Sequence, residues 1–141
     1  MKKIVSIVFA VLFASFVQAS SVQEQLKAEY GNCYSYWDDN LYGCKPASCT
    51  YPDATDAKAW RAQTIVGKVD KKCYVMYYSY IGQKIVGEPD HCFYDPDQLS
   101  LLAGYYRSLF AAKSSIKVVD LKDKINNIIY IVCKKSDVQK K

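Results

Sequence analysis

The chain has 141 residues; half are hydrophobic, 14% are aromatic and the formal net charge is +5. One domain of about 100–200 residues fits that length, whereas two do not unless one is tiny, and so apolar a composition excludes a disordered chain. The positive charge is mild and partly gathered in residues 134–141, which does not make the dense basic stripe of a nucleic-acid site.

Residues 1–19 predict export. Lys2 and Lys3 precede an apolar run over 4–17 and the pair Gln18-Ala19, the pattern of a secretory signal peptide cut between Ala19 and Ser20. The run is shorter than the ~20 apolar residues of a membrane-spanning helix, and polar Ser20, Ser21, Gln23 and Glu24 follow it at once. The cut removes two lysines and no acid, so the charge falls from +5 to +3. The mature chain is expected in the periplasm or outside the cell, with one domain over 20–134 and a basic flexible tail over 135–141.

Ser21-Val22-Gln23-Glu24 has the form of a capping box, and Val22, Leu26 and Tyr30 recur every four residues. This predicts a short amphipathic helix over 21–31. Residues 32–60 read as a long loop with Gly43, Pro46, Pro52 and three cysteines; such a loop needs staples or a function. Strands are predicted over 64–69, 73–80 and 84–94, with turns at Asp70-Lys71-Lys72 and at Gly82-Gln83. Gly at the first turn position suits a two-residue hairpin of the II′ type. Asp95, Pro96 and Gln98 start a longer helix, whose stripe of Leu99, Leu102, Tyr106, Leu109 and Phe110 runs to about 112. Segments 116–119 and 127–133 read as two further strands. The expected fold is thus a small disulfide-stapled α+β domain: an antiparallel sheet of about five strands with one long and one short helix.

All six cysteines, Cys33, Cys44, Cys49, Cys73, Cys92 and Cys133, lie after the signal. An even number in an exported chain predicts a disulfide framework, with fifteen connectivities open. Symmetry about Gly82-Gln83 sets Cys73 opposite Cys92 and favours that bond. Cys44 and Cys49 in CKPASC can be bridged locally, and Cys33 with Cys133 would then join the two ends.

Few chemistries are available. The only histidine, His91, adjoins Cys92, and neighbours on a strand point to opposite faces, so the two do not form a nucleophilic pair. One histidine and committed cysteines leave little for zinc. Asp38-Asp39-Asn40 with Gly43 begins like a calcium loop but has Tyr42 and Cys49 at positions five and twelve. Asp53 with Asp56 and Asp95 with Asp97 are the raw material of a carboxylate hydrolase, although the helix start already accounts for the second pair. No cofactor or metal is expected.

The unusual feature is tyrosine, thirteen in all. Tyrosine and tryptophan combine apolar area with a polar tip and favour binding surfaces. Tyr77, Tyr106 and Tyr130 read as core-filling residues. Tyr34, Tyr36, Trp37 and Tyr42, on the stapled loop, are the candidate binding residues.

The segment Cys44-Lys45-Pro46-Ala47-Ser48-Cys49-Thr50-Tyr51-Pro52, followed by Gly67, Lys72-Cys73 and Cys92-Phe93, resembles a pattern in small exported bacterial proteins of uncharacterised function. The resemblance covers residues 44–100. It implies an envelope or secreted location and a shared disulfide core, and no activity. The sequence therefore points to a non-enzymatic binding or accessory module whose partner is a protein or an envelope component. Its rivals are a thiol oxidoreductase at Cys44 and Cys49, a small hydrolase, and a secreted effector or inhibitor.

Overall fold

The computed structural model describes residues 22–139; the signal segment and its cut at Ala19–Ser20 lie outside the described residues. Residues 22–30 form α1, with Leu26 buried against the core. A 3-10 turn follows at Gly31–Cys33 and then α2, Tyr36–Tyr42. The strands are β1 Ala47–Pro52, β2 Ala59–Val69, β3 Lys72–Ile81 and β4 Lys84–Tyr94. Two helices close the chain, α3 Pro96–Phe110 and α4 Ser115–Gln139.

The strands pair in chain order as one antiparallel sheet, β1-β2-β3-β4. Three of the expected strands are present: β2 and β3 are longer than expected, and β4 has the expected bounds. The β2–β3 turn is Asp70-Lys71, both with positive φ, which is the mirror-image geometry that matches strand twist. At the β3–β4 turn, Gly82 alone takes a positive φ (62°) and Ile81 pairs with Lys84, as a II′ hairpin requires.

One face of the sheet forms the core. Cys49, Ile65, Val75, Tyr77, Cys92 and Tyr94 are buried in a single cluster with Trp37, Leu41, Leu102, Tyr106 and Ile125 from the helices. On the opposite face Trp60, Tyr74, Met76, Tyr78, Tyr80 and Phe93 are half-buried or exposed. Of the described helices, none is long and apolar enough to cross a membrane.

Several expectations are corrected. The predicted strands at 116–119 and 127–133 are parts of α4. Ser114 Oγ accepts from Lys117 N (3.2 Å) and caps its start. The apolar Val118, Leu121, Ile125, Ile128, Ile129 and Val132 fall on one helical stripe, so the 3.6-residue period prevails over the β-branched composition. The sheet therefore has four strands rather than five. Helix α4 also runs through residues 135–139 of the expected tail. The long loop is smaller than its composition implies, because α2 and β1 lie within it.

The connectivity is also corrected. The bonds are Cys33–Cys49, Cys44–Cys73 and Cys92–Cys133, with Cα separations of 5.0, 5.7 and 4.6 Å; all six cysteines are paired, and none of the three expected pairs forms. The hairpin symmetry fails because the β3–β4 register shifts between Tyr77 and Ser79. Gly87-Glu88-Pro89 inserts two residues there, with Gly87 at φ 74°. Cys92 then stands opposite Val75, and Cys73 opposite Tyr94.

Candidate functional site

A concave feature lined by four tyrosines lies between the inner face of the sheet and helices α1, α3 and α4. It is a cleft of ≈ 480 Å³ lined by Tyr30, Tyr51, Tyr77 and Tyr106, with Gln63 among them and charged groups at its mouth. That volume suits a small ligand.

Register builds the floor. Cys49, Gln63, Tyr77 and Asp90 are consecutive partners across the four strands, so they share the inner face. At one end of this row Cys49 is sealed in its disulfide; at the other Asp90 is open to solvent. The walls come from the turn after α1. Gly31 takes φ 52°, and a Cβ there would stand 2.7 Å from the Thr50 carbonyl oxygen. Only glycine lets the chain pass so close to β1, and this sets the Tyr30 ring 6.1 Å from Tyr51 and edge-on to Tyr106 at 6.4 Å.

Gln63 is the anomaly of the floor. Its exposure is 3%. Its Nε2 donates to the Tyr51 hydroxyl (3.3 Å) and its amide also interacts with the Tyr106 hydroxyl, while its Oε1 has no partner. An unpaired buried carbonyl costs about 1–3 kcal/mol, and such groups in native proteins call for a reason. Beside it the Tyr77 and Tyr94 hydroxyls bond to each other at 2.7 Å. Burial pushes the phenols of Tyr30, Tyr77, Tyr94 and Tyr106 well above the ordinary tyrosine range, so these groups stay neutral.

At the mouth, Lys122 donates to both oxygens of Glu29 (2.6 Å each) and stands over the Tyr30 ring at 5.9 Å. Asp53 accepts from Thr55 N (2.8 Å) and Thr55 Oγ1 (2.6 Å). These bonds, with Arg61 nearby, hold its carboxyl below the usual range. Among the described residues no group of three or more His, Cys, Asp or Glu side chains is arranged to hold a metal ion.

The aromatic loop residues are dispersed. Trp37 is 0% exposed, inside the core with Leu41, because α2 turns Trp37 and Leu41 to its buried face. It is thereby withdrawn from any surface. The Tyr34 hydroxyl bonds to Gln23 and to the Phe110 carbonyl. Tyr36 and Tyr42 are exposed, at 47% and 54%, and Tyr42 lies 5.2 Å from the Arg107 guanidinium. Buried Asp38, on the same helix, ion-pairs with Arg107 at 3.4 Å; desolvation pushes its carboxyl up despite that partner. Of the expected core tyrosines, Tyr77 and Tyr106 are buried and Tyr130 is 62% exposed, on the outer side of α4.

Cys44 and Cys49 belong to different disulfides, so the pair on which a thiol oxidoreductase would depend is not a redox couple. His91 faces away from Cys92 and bonds to the Tyr74 hydroxyl. Of the carboxylate pairs, Asp95 accepts from Gln98 N in a capping box, and Asp56 accepts from Lys58 N. The tyrosines of the cleft are scattered over four elements, so no local pattern in the sequence marks it. The available signal was Gln63, a polar residue at an inward strand position. No protein-family model, curated protein or solved structure matches the chain.

Proposed function

We infer that the protein is an exported, non-enzymatic binding module that holds a small polar component of the envelope or its surroundings in the tyrosine-lined cleft. The observation that carries this reading is Gln63, buried in a cavity wall with an unpaired Oε1. A fold keeps such a group against its own stability where a ligand uses it. Three disulfides fit an oxidising compartment, and the signal-like residues 1–19 agree with export.

Binding is favoured over hydrolysis by the state of two of the three carboxylates that line the cleft. A carboxyl that acts as general acid must be held protonated near neutral pH. Asp53 is held in the opposite direction, and Glu29 is tied to Lys122. The test is an NMR screen of small polar fragments against the disulfide-bonded protein. Hits should shift resonances at Gln63, Tyr77 and Tyr106 and disappear in Gln63→Leu. Hits confined to Tyr36 and Tyr42 would return the site to the aromatic loop, and turnover of any fragment would overturn the non-enzymatic reading.

A further inference from the structure

We propose that the cleft takes a small organic cation with N–H donors, of the aliphatic diamine class. This rests on the reading of the cleft as a binding site and names its ligand.

The charges that line the cleft are unequal: Glu29, Asp53 and Asp90 against Arg61 and Lys122. Lys122 is neutralised by Glu29, and Arg61 lies in the field of Asp53, whose oxygen is already engaged by Thr55. Two acceptors in one row of the floor stand without a partner: the buried Oε1 of Gln63 and the exposed carboxylate of Asp90. A ligand that satisfies them must bring donors. An anion would meet two acceptors. A neutral polyol would serve Gln63 and leave the Asp90 charge uncompensated. A cation with N–H groups serves both.

Spacing narrows the class. Gln63, Tyr77 and Asp90 are direct partners on adjacent strands. At the usual interstrand distance, Gln63 and Asp90 are therefore about 10 Å apart at the backbone. Tyr77 stands between them with its hydroxyl committed to Tyr94, so what it offers is its ring. Two donors joined by a short aliphatic linker match acceptor, ring and acceptor in that order. The rings of Tyr30, Tyr51 and Tyr106 favour a cation over their faces. The chain supplies its own precedent, since the Lys122 ammonium stands over Tyr30.

The experiment is titration of the full disulfide-bonded protein with putrescine at low and at physiological salt, by calorimetry and by NMR. Saturable binding is expected with Kd of about 1 mM or tighter, with shifts at Gln63, Tyr77 and Asp90. Asp90→Asn, an exposed and structurally mild change, should weaken it about ten-fold, as should Gln63→Leu. Lys122→Met removes a like charge from the mouth and should tighten it about two- to five-fold. Absence of saturation, or an Asp90→Asn variant that binds as well as the parent, overturns the proposal. Glucose serves as the neutral control. If glucose perturbs Gln63 and Tyr77 while putrescine does not, the cation class falls and the cleft reading stands. If neither probe nor the fragment screen touches the cleft, both fall together.

Discussion

Cys92 stands opposite Val75 across the β3–β4 ladder, and its sulfur is bonded to Cys133 of α4. This bond closes a sequence separation of 41 residues, worth about 4 kcal/mol in the chain-entropy model, and pins the last helix to the sheet. Tryptic mapping without reduction checks it. Lys45 precedes Pro46 and resists cleavage, so Cys33, Cys44 and Cys49 share the peptide 28–58. The expected products are peptide 85–107 joined to 125–134, and 28–58 joined to 73–84. Peptide 73–84 joined to 85–107 would mean the symmetric hairpin bond instead.

Local rules made much of the fold legible. The helix from Pro96 could be read because Asp95 and Gln98 form the reciprocal cap their spacing promises. The II′ turn at Gly82 could be read for the same reason: a single residue type fixes the backbone. What stayed hidden depends on partners distant in sequence. Gly87-Glu88-Pro89 signals an interruption of the strand, but nothing local says that it displaces Cys92 by two register positions. In α4, Ile, Val and Tyr suggest strand, and only the row from Val118 to Val132 against the core makes the helix worthwhile. The start of β2 was concealed by Gln63, whose inward place breaks the alternation of a half-buried strand. The residue that obscured the strand is the one that marks the cleft.

Trp37 separates packing from binding in α2. Trp37→Ala removes a fully buried side chain and should cost about 3–5 kcal/mol. Tyr36→Ala, at an exposed position, should change stability by no more than about 0.5 kcal/mol. Chemical denaturation of the two variants checks this. A Trp37→Ala protein as stable as the parent would show that the ring is not part of the core.

The hydroxyls of Tyr77 and Tyr94 are each other's partners, and this gives a signature in mutation and in pH. Tyr77→Phe leaves the Tyr94 hydroxyl buried and unpaired and should cost about 1–2 kcal/mol. Adding Tyr94→Phe should recover much of that loss, which a double-mutant cycle measures. The pH dependence follows from the raised phenols. Below the ordinary tyrosine range both folded and unfolded chains carry these protons, and stability is unaffected. Above it the unfolded chain loses them while the folded chain keeps them, so stability falls as pH rises past about 10. Denaturation midpoints between pH 8 and 11 (a range of about three units around that threshold) should decline only at the upper end, and less steeply in the double phenylalanine variant.

Gln63 should reveal its purpose by what its loss does to stability. Gln63→Leu keeps the approximate volume, removes the unpaired Oε1 and gives up the 3.3 Å bond to Tyr51. The relieved desolvation, about 1–3 kcal/mol, exceeds the net worth of one neutral hydrogen bond, about 1 kcal/mol. The variant should therefore unfold at a temperature higher by about 2–6 °C, which a thermal melt reads directly. A core chosen for stability alone would already hold an apolar residue here. A rise in melting temperature together with loss of the cleft's fragment hits would be the mark of a residue retained for its ligand. A fall in melting temperature would mean that the amide supports Tyr51 more than it burdens the core, and the cleft would then lose the observation on which its function rests.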